Sequence, residues 1–319
     1  MVLYQFSMRG IFVFLDLLGF SHYVGADLSG AARMLNSQQN ILNVGLDDAA
    51  FYKAKSVTPD SFQAEHLTTS FHHFLPFSDS LCISSTQPDL FLPQLAHFLI
   101  SAFHFTAHAY ETGPSGSSPE NIKVAVMGRH GLTHEQQNWF PVLWRGGMSF
   151  GRVECVGSRG IINGNLVETP LLIGDAVVRA VKMEKPGEDA ALQKGPRLFC
   201  DPSVRSSLAD PRIAAFIVPV PGIPNCEEFL WPAFLYHADR DPRNALFEMH
   251  RLLEPAAALW RSKRGTGVEN HYFEFVHLIC RSTLVWAAEN GIDNADARAI
   301  IARNLETQRA GELVSRILI

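Results

Sequence analysis

The stretch GIFVFLD at residues 10–16 limits the fold more than any other part of the chain. It is short, rich in β-branched and aromatic residues, and preceded by a glycine, which is the pattern of a buried strand. The apolar run from Ile11 to Leu15 stops at Asp16, and Leu17-Leu18-Gly19-Phe20-Ser21 then reads as a tight turn. A carboxylate at the end of a buried strand loses hydration, so it needs a partner or a metal ion. Asp79 occupies a comparable place. Residues 71–75 and 81–85 read as short strands around Pro76-Phe77-Ser78-Asp79-Ser80, which is hairpin chemistry.

Around these two aspartates the chain alternates elements. Helices are expected over 29–40, 43–53, 90–110 and 172–185, the last ending at Pro186-Gly187. Strands are expected over 122–127, 142–153, 197–200, 213–218 and 229–236. Residues 56–61 and 111–121 read as loops, and Gly-rich 154–165 as a hairpin region. From Pro242 onward the pattern is helical: 245–261 with Pro255 as a break, 269–290 ending at Gly291, and 294–317 with Asp293 as N-cap. The expected organisation is an α+β body over 1–238 and a helical extension over 239–319.

Composition narrows the function classes. With 319 residues, 47% hydrophobic and 18% charged, the chain is not a disordered one. A net charge of −5 argues against a nucleic-acid partner. No stretch reaches the ~18 apolar residues of a membrane span. The five cysteines are scattered and odd in number, so reduced thiols and a cytoplasmic setting are expected, without membrane attachment. There is no GxxxxGK[ST] and no HExxH, so His72, His73, His104 and His108 read as surface or core histidines.

Two carboxylates on neighbouring strand ends suit a pair of Mg²⁺ or Mn²⁺ ions, which prefer hard oxygen ligands and promote phosphoryl chemistry as a pair. The N–H groups of Gly19, Phe20 and Ser21, opening the next helix, would add an anion seat. The spacing alone leaves the other reading open: a capping Asp and a turn Asp with no shared role.

Four motifs then fall in order. FLDLLGFS (14–21), FSDSLCIS (77–84), WRGGMSFGRV (144–153) and IGDAVVRAVKME (173–184) together resemble the catalytic domain of the class III nucleotide cyclases. The resemblance implies a ferredoxin-like α+β fold. It implies that Asp16 and Asp79 hold two metal ions, Mn²⁺ or Mg²⁺, with the Leu17 carbonyl as a further ligand. Gly19, Phe20 and Ser21 would cradle the β- and γ-phosphates, and Arg145 would clamp phosphate. It also implies a head-to-tail homodimer with active sites at the interface. The resemblance does not extend to the helical tail, whose Phe273, Phe275, Leu278 and Trp286 serve either chain pairing or packing against the body.

The fourth motif departs from the family pattern. The family's ribose-positioning Asn falls on Val178 and its transition-state Arg on Lys182. On a helix, Asp175, Arg179 and Lys182 share one face, with Val177, Val181 and Glu184 pointing elsewhere. Lys182 or Arg179 would therefore supply the cation at the α-phosphate. The two base-reading positions of purine-specific members are Leu75 and Leu171, which cannot hydrogen-bond. A stand-alone cyclase without the purine code is similar to the bacterial antiphage pyrimidine cyclases of Pycsar systems. That resemblance implies conversion of UTP to cyclic UMP and pyrophosphate, the product being read by a separate effector protein. The alternatives are a cytidylate, adenylate or guanylate cyclase, or a catalytically silent cyclase-like module.

Overall fold

The two sides of the first strand settle into different surroundings, and that asymmetry organises the molecule. The structure, a computed structural model, describes residues 6–26, 28–47, 70–108, 121–128, 131–138, 140–162, 165–187, 192–236 and 241–318. The chain begins with β1 (Phe6–Leu17), α1 (Phe20–Ala26) and α2 (Leu28–Asp47). The hairpin β2 (His73–Phe77) and β3 (Ser80–Ser85) leads into α3 (Pro88–His108), then β4 (Asn121–Gly128) and β5 (Gly131–Asn138). Next come β6 (Trp144–Ile162), β7 (Asn165–Ile173), α4 (Asp175–Met183), β8 (Leu198–Cys200), α5 (Pro202–Ser206) and α6 (Pro211–Ala214). After β9 (Ile217–Pro219) and β10 (Glu227–Phe229) the chain is helical: α7 (Pro242–Ala245), α8 (His250–Ser262), α9 (Glu269–Glu289), α10 (Asn294–Thr307) and α11 (Val314–Ile317).

The main sheet has eight strands. Seven follow the order β2-β3-β1-β6-β8-β10-β9, and β7 pairs with the outer part of β6. The β1–α1/α2–β2–β3–α3–β6 succession with β2-β3-β1-β6 neighbours is the ferredoxin-like arrangement, so the fold is α+β as expected. Ile11, Val13, Leu15 and Leu17 of β1 face the large core that contains Phe91, Leu95 and Leu99 of α3. Met8 and Phe12 face the other way, onto Ala176 and Ala180 of α4. Strand alternation therefore sends Asp16 to the α4 side, away from the large core.

Close backbone approach holds α4 on the sheet. A Cβ on Gly147 would lie 2.0 Å from the Ala180 carbonyl oxygen, so only glycine lets the helix settle there. The last helices pack on the opposite face. Phe275, Leu278 and Trp286 of α9 are buried in the same core as β1 and α3, with the Phe103 and Phe275 rings edge to face at 4.8 Å. Buried Glu228 of β10 takes two bonds from Arg197, at 2.8 and 2.7 Å, and an ion pair from Arg281 of α9. Burial pushes the Glu228 carboxyl up, and the bonds and charges of the two arginines more than reverse that. Removing one partner of such a network leaves a buried charge unpaired, at about 3–5 kcal/mol.

Several expected elements are corrected. The helices expected over 29–40 and 43–53 are one helix, α2, as far as Asp47. Leu172 and Ile173 belong to β7, and α4 opens only at Asp175. Residues 213–218 divide between α6 and β9, and residues 231–235 form a 3₁₀ helix where a strand was expected. Pro232 at the start of that turn lacks the N–H a ladder needs, while its fixed φ suits a helical start. Strand β5 and helix α5 were not expected. Pro255 does not break its helix, which runs on to Ser262. The Arg251 carbonyl, four residues back, loses its N–H partner to the proline and takes the His104 Nδ1 at 3.3 Å instead. The 56–61 loop, 48–53 of the second expected helix, and 111–120 of the expected loop lie outside the described residues. Helix α3 is long and apolar enough to cross a membrane by length and composition, yet its side chains are mostly buried in the core.

Candidate active site

The strand register brings the two aspartates to neighbouring ends. Asp16 pairs with Ser80 across β1 and β3, and Asp79 is the next residue, in the two-residue turn where Ser78 has φ 55°. The Leu17 N–H donates to the Asp79 carbonyl at 2.9 Å, tying the turn to the end of β1. Burial is the main influence on Asp16 and raises its pKa; Arg145 opposes this, and the charges of Glu184 and Asp79 add to the rise. The two carboxylates therefore lie within electrostatic reach of each other.

Arg145 faces Asp16 across β1 and β6. Its Nη2 lies 3.2 Å from Asp16 Oδ2 and 2.8 Å from Glu184 Oε1, and its Nη1 donates to the Gln193 carbonyl at 3.3 Å. Glu184 was expected to point away from the site. It is the C-cap of α4, and that end of the helix rests on β6 at Gly147, which brings the carboxylate to Arg145 of the same strand.

The turn after β1 behaves as its sequence requires. Gly19 has φ +85°, a conformation that L side chains rarely adopt. The first helical bond of α1 runs from the Tyr23 N–H to the Gly19 carbonyl, so the N–H groups of Phe20 and Ser21 have no intrahelical acceptor. Asp16, Leu17, Gly19, Ser21 and Arg145 together line one side of a cavity of about 260 Å³. Its other side, which includes Lys194 and His271, has no local sequence signal, because tertiary packing alone brings those residues to β1.

The two cations of α4 differ sharply. Arg179 is fully engaged: Nη2 lies 2.9 Å from Asp175 Oδ2 and donates to the Phe150 carbonyl at 2.8 Å, and Nε meets Ser149 Oγ at 2.9 Å and Asp201 Oδ2 at 3.0 Å. Lys182 is exposed, with no ion pair among the described residues. Val178 beside it is 55% exposed. Of the base-reading positions, Leu75 is half-buried on β2 and Leu171 is exposed on β7.

The residues fit a divalent cation. Two carboxylates and the Leu17 carbonyl are hard oxygen donors, and a shared cation would offset the burial, and then the Glu184 and Asp79 charges, that raise Asp16. Among the described residues no group of three or more His, Cys, Asp or Glu could hold a metal. Mg²⁺ needs no such group, since one or two carboxylates with substrate phosphates and water commonly suffice.

No protein-family model matches the chain, and no curated protein matches it. Solved structures similar to it include adenylate cyclases from Trypanosoma brucei in their monomeric state, at 10% identity over 69% of this chain and 86% of that one, with TM-score 0.32. The guanylyl cyclase Cya2 shows 12% identity over 70% of this chain and 91% of its own, with TM-score 0.33. A class III adenylyl cyclase-like ATP-binding protein from Pseudomonas aeruginosa shows 12% identity over 64% and 35%, with TM-score 0.34. These overlaps are loose, and what the site can do follows from its own residues.

Proposed function

We propose that this chain is a nucleotide cyclase, a phosphorus–oxygen lyase that converts a nucleoside triphosphate to its 3′,5′-cyclic monophosphate and pyrophosphate. The observation that carries the reading is Asp16 on the cavity edge, bonded to Arg145 and beside the Gly19 turn, with Asp79 within electrostatic reach on the adjoining hairpin. Divalent cations held by Asp16, Asp79 and the Leu17 carbonyl would supply Lewis-acid activation of the ribose 3′-hydroxyl and offset the charge of the leaving pyrophosphate. The backbone N–H groups of Gly19, Phe20 and Ser21 orient the β- and γ-phosphates. Arg145, buttressed by Glu184 and the Gln193 carbonyl, is held at a fixed angle to clamp them. Of the two α4 cations, Lys182 is the one free to meet charge developing on the α-phosphate, because Arg179 is committed to Asp175 and Asp201.

The substrate proposed is a pyrimidine triphosphate, UTP first and CTP second, with cyclic UMP as a second messenger in antiviral defence. Leu75 and Leu171 support it by offering the base no hydrogen bond of the purine-reading kind. A second reading, a catalytically silent nucleotide-binding module, is favoured by Val178 at the ribose position and by the engagement of Arg179. Incubating the purified chain with each of four NTPs and Mn²⁺, then weighing the products, separates these readings. A cyclic pyrimidine nucleotide is expected; no product from any NTP establishes the silent module. Asp79→Ala should lower the rate ~10³-fold or more, about 4 kcal/mol of barrier, and near-parental turnover by that variant refutes the metal roles.

A further inference from the structure

The far side of the cavity is built from segments remote from the strands that carry the carboxylates. Lys194 comes from the loop before β8, and Val268 and His271 come from the start of α9. Neither polar side chain there is satisfied on its cavity side. Half-buried Lys194 has no ion pair or hydrogen-bond acceptor among the described residues. His271 accepts the Gly195 N–H at Nδ1, 3.3 Å away. In the neutral ring the proton then belongs on Nε2, for which no partner exists among the described residues. The ring is held neutral, its pKa pushed down to about 4, by burial first and then by the positive charges of Lys194, Arg145 and His22. Arg145 is balanced by Asp16 and Glu184, whereas Lys194 has no such counter-charge. Neither Lys194 nor His271 meets an anion on this far side among the described residues.

The cavity, about 260 Å³ and open to solvent, is below the roughly 300–1,000 Å³ of sites that enclose a whole ligand, so it suits one end of a substrate. We infer that Lys194 and His271 bind the terminal phosphates of the triphosphate, and the pyrophosphate that leaves, so that the start of α9 forms part of the substrate site in the same chain. A lysine ammonium is a point charge suited to phosphate, and the His271 Nε2–H adds one donor.

This inference rests on the nucleotide-cyclase reading of the site, and the test keeps the two apart. Isothermal titration of the full-length chain with inorganic pyrophosphate and Mg²⁺ gives the affinity directly, with no turnover needed. Lys194→Gln should weaken pyrophosphate binding at least tenfold and His271→Phe about fivefold, with Lys194→Arg within a few-fold of the parent and melting temperatures unchanged. In turnover, Lys194→Gln should raise KM more than it lowers kcat. If the parent chain binds no pyrophosphate, or if Lys194→Gln binds it as the parent does, the inference is wrong even where cyclisation persists. If binding depends on Lys194 but no NTP is cyclised, the phosphate seat stands and the cyclase reading falls.

Discussion

Asp16 sits under tension: its carboxylate ends an apolar strand, half-buried, with Asp79 and Glu184 near and a single arginine to balance it. Its folded pKa is raised above the ~3.9 of an unfolded aspartate, so between the two values the native state binds the extra proton. Stability from this group is therefore present at low pH and lost as pH rises through the folded pKa. At pH 7 the charged Asp16 is a cost that the metal-free fold bears. Asp16→Asn should accordingly melt higher than the parent at pH 7 in the presence of EDTA, the advantage shrinking as pH falls toward ~4, while cyclisation is lost. Calorimetric melts across that range check it, and a variant that melts lower at pH 7 contradicts the sign. Such a residue is legible in a sequence because it breaks a pattern, and Asp16 interrupts its apolar run visibly. Lys194 and His271 break no pattern, and nothing short of the packed chain associates them with residue 16.

At the level of elements, the strands and turns that frame the site were readable where one local rule acted alone. The β2–β3 hairpin, the Gly19 turn and the Asp293 cap, which accepts from the Ala295 and Asp296 N–H groups, follow their sequences directly. The reading failed where a distant group overrode the local rule. Pro255 stays inside α8 because His104 of α3 supplies the missing bond; at 231–235 the failure was local, the apolar run outweighing the Pro232 that starts a helical turn. The same distinction applies to Gly146-Gly147, which looks like loosened strand in sequence and is a contact surface in space. Gly147→Ala drives a methyl into the backbone of α4, and α4 carries both Lys182 and the Glu184 that steadies Arg145. We expect a loss of about 1–3 kcal/mol in urea unfolding and a fall in turnover larger than that loss alone explains. Unchanged stability would mean that α4 does not rest on that glycine.

Over the whole molecule, one face of the sheet is sealed by α3, α8 and α9, and among the described residues α4, with the start of α5 beside it, packs on the other. Phe14 and Cys82 on that second face are half-buried, and Val178 and Val181 of α4, close to Lys182 in sequence, stand 55% and 44% exposed. These exposed aliphatic side chains suit the head-to-tail homodimer that the resemblance implies, in which each chain's Lys182 would serve its partner's metal carboxylates. The double variant Val178→Glu/Val181→Glu should sediment as a monomer and lose cyclisation while its melting temperature stays within a few degrees of the parent. A parent chain that cyclises as a monomer would exclude the arrangement. The body-and-tail division suggested by the sequence reflects where helical periodicity begins; it does not reveal that Arg281 of α9 reaches Glu228, or that Val268 and His271 lie across from Gly19. That closure has a consequence for biosynthesis. A ribosome makes the first wall of the cavity early and its opposite wall only after α8 is complete, so an interrupted polypeptide carries both aspartates beside an open groove. Termination before α9 leaves a fragment whose Asp16 and Gly19 lack the wall that Val268 and His271 supply in the finished chain.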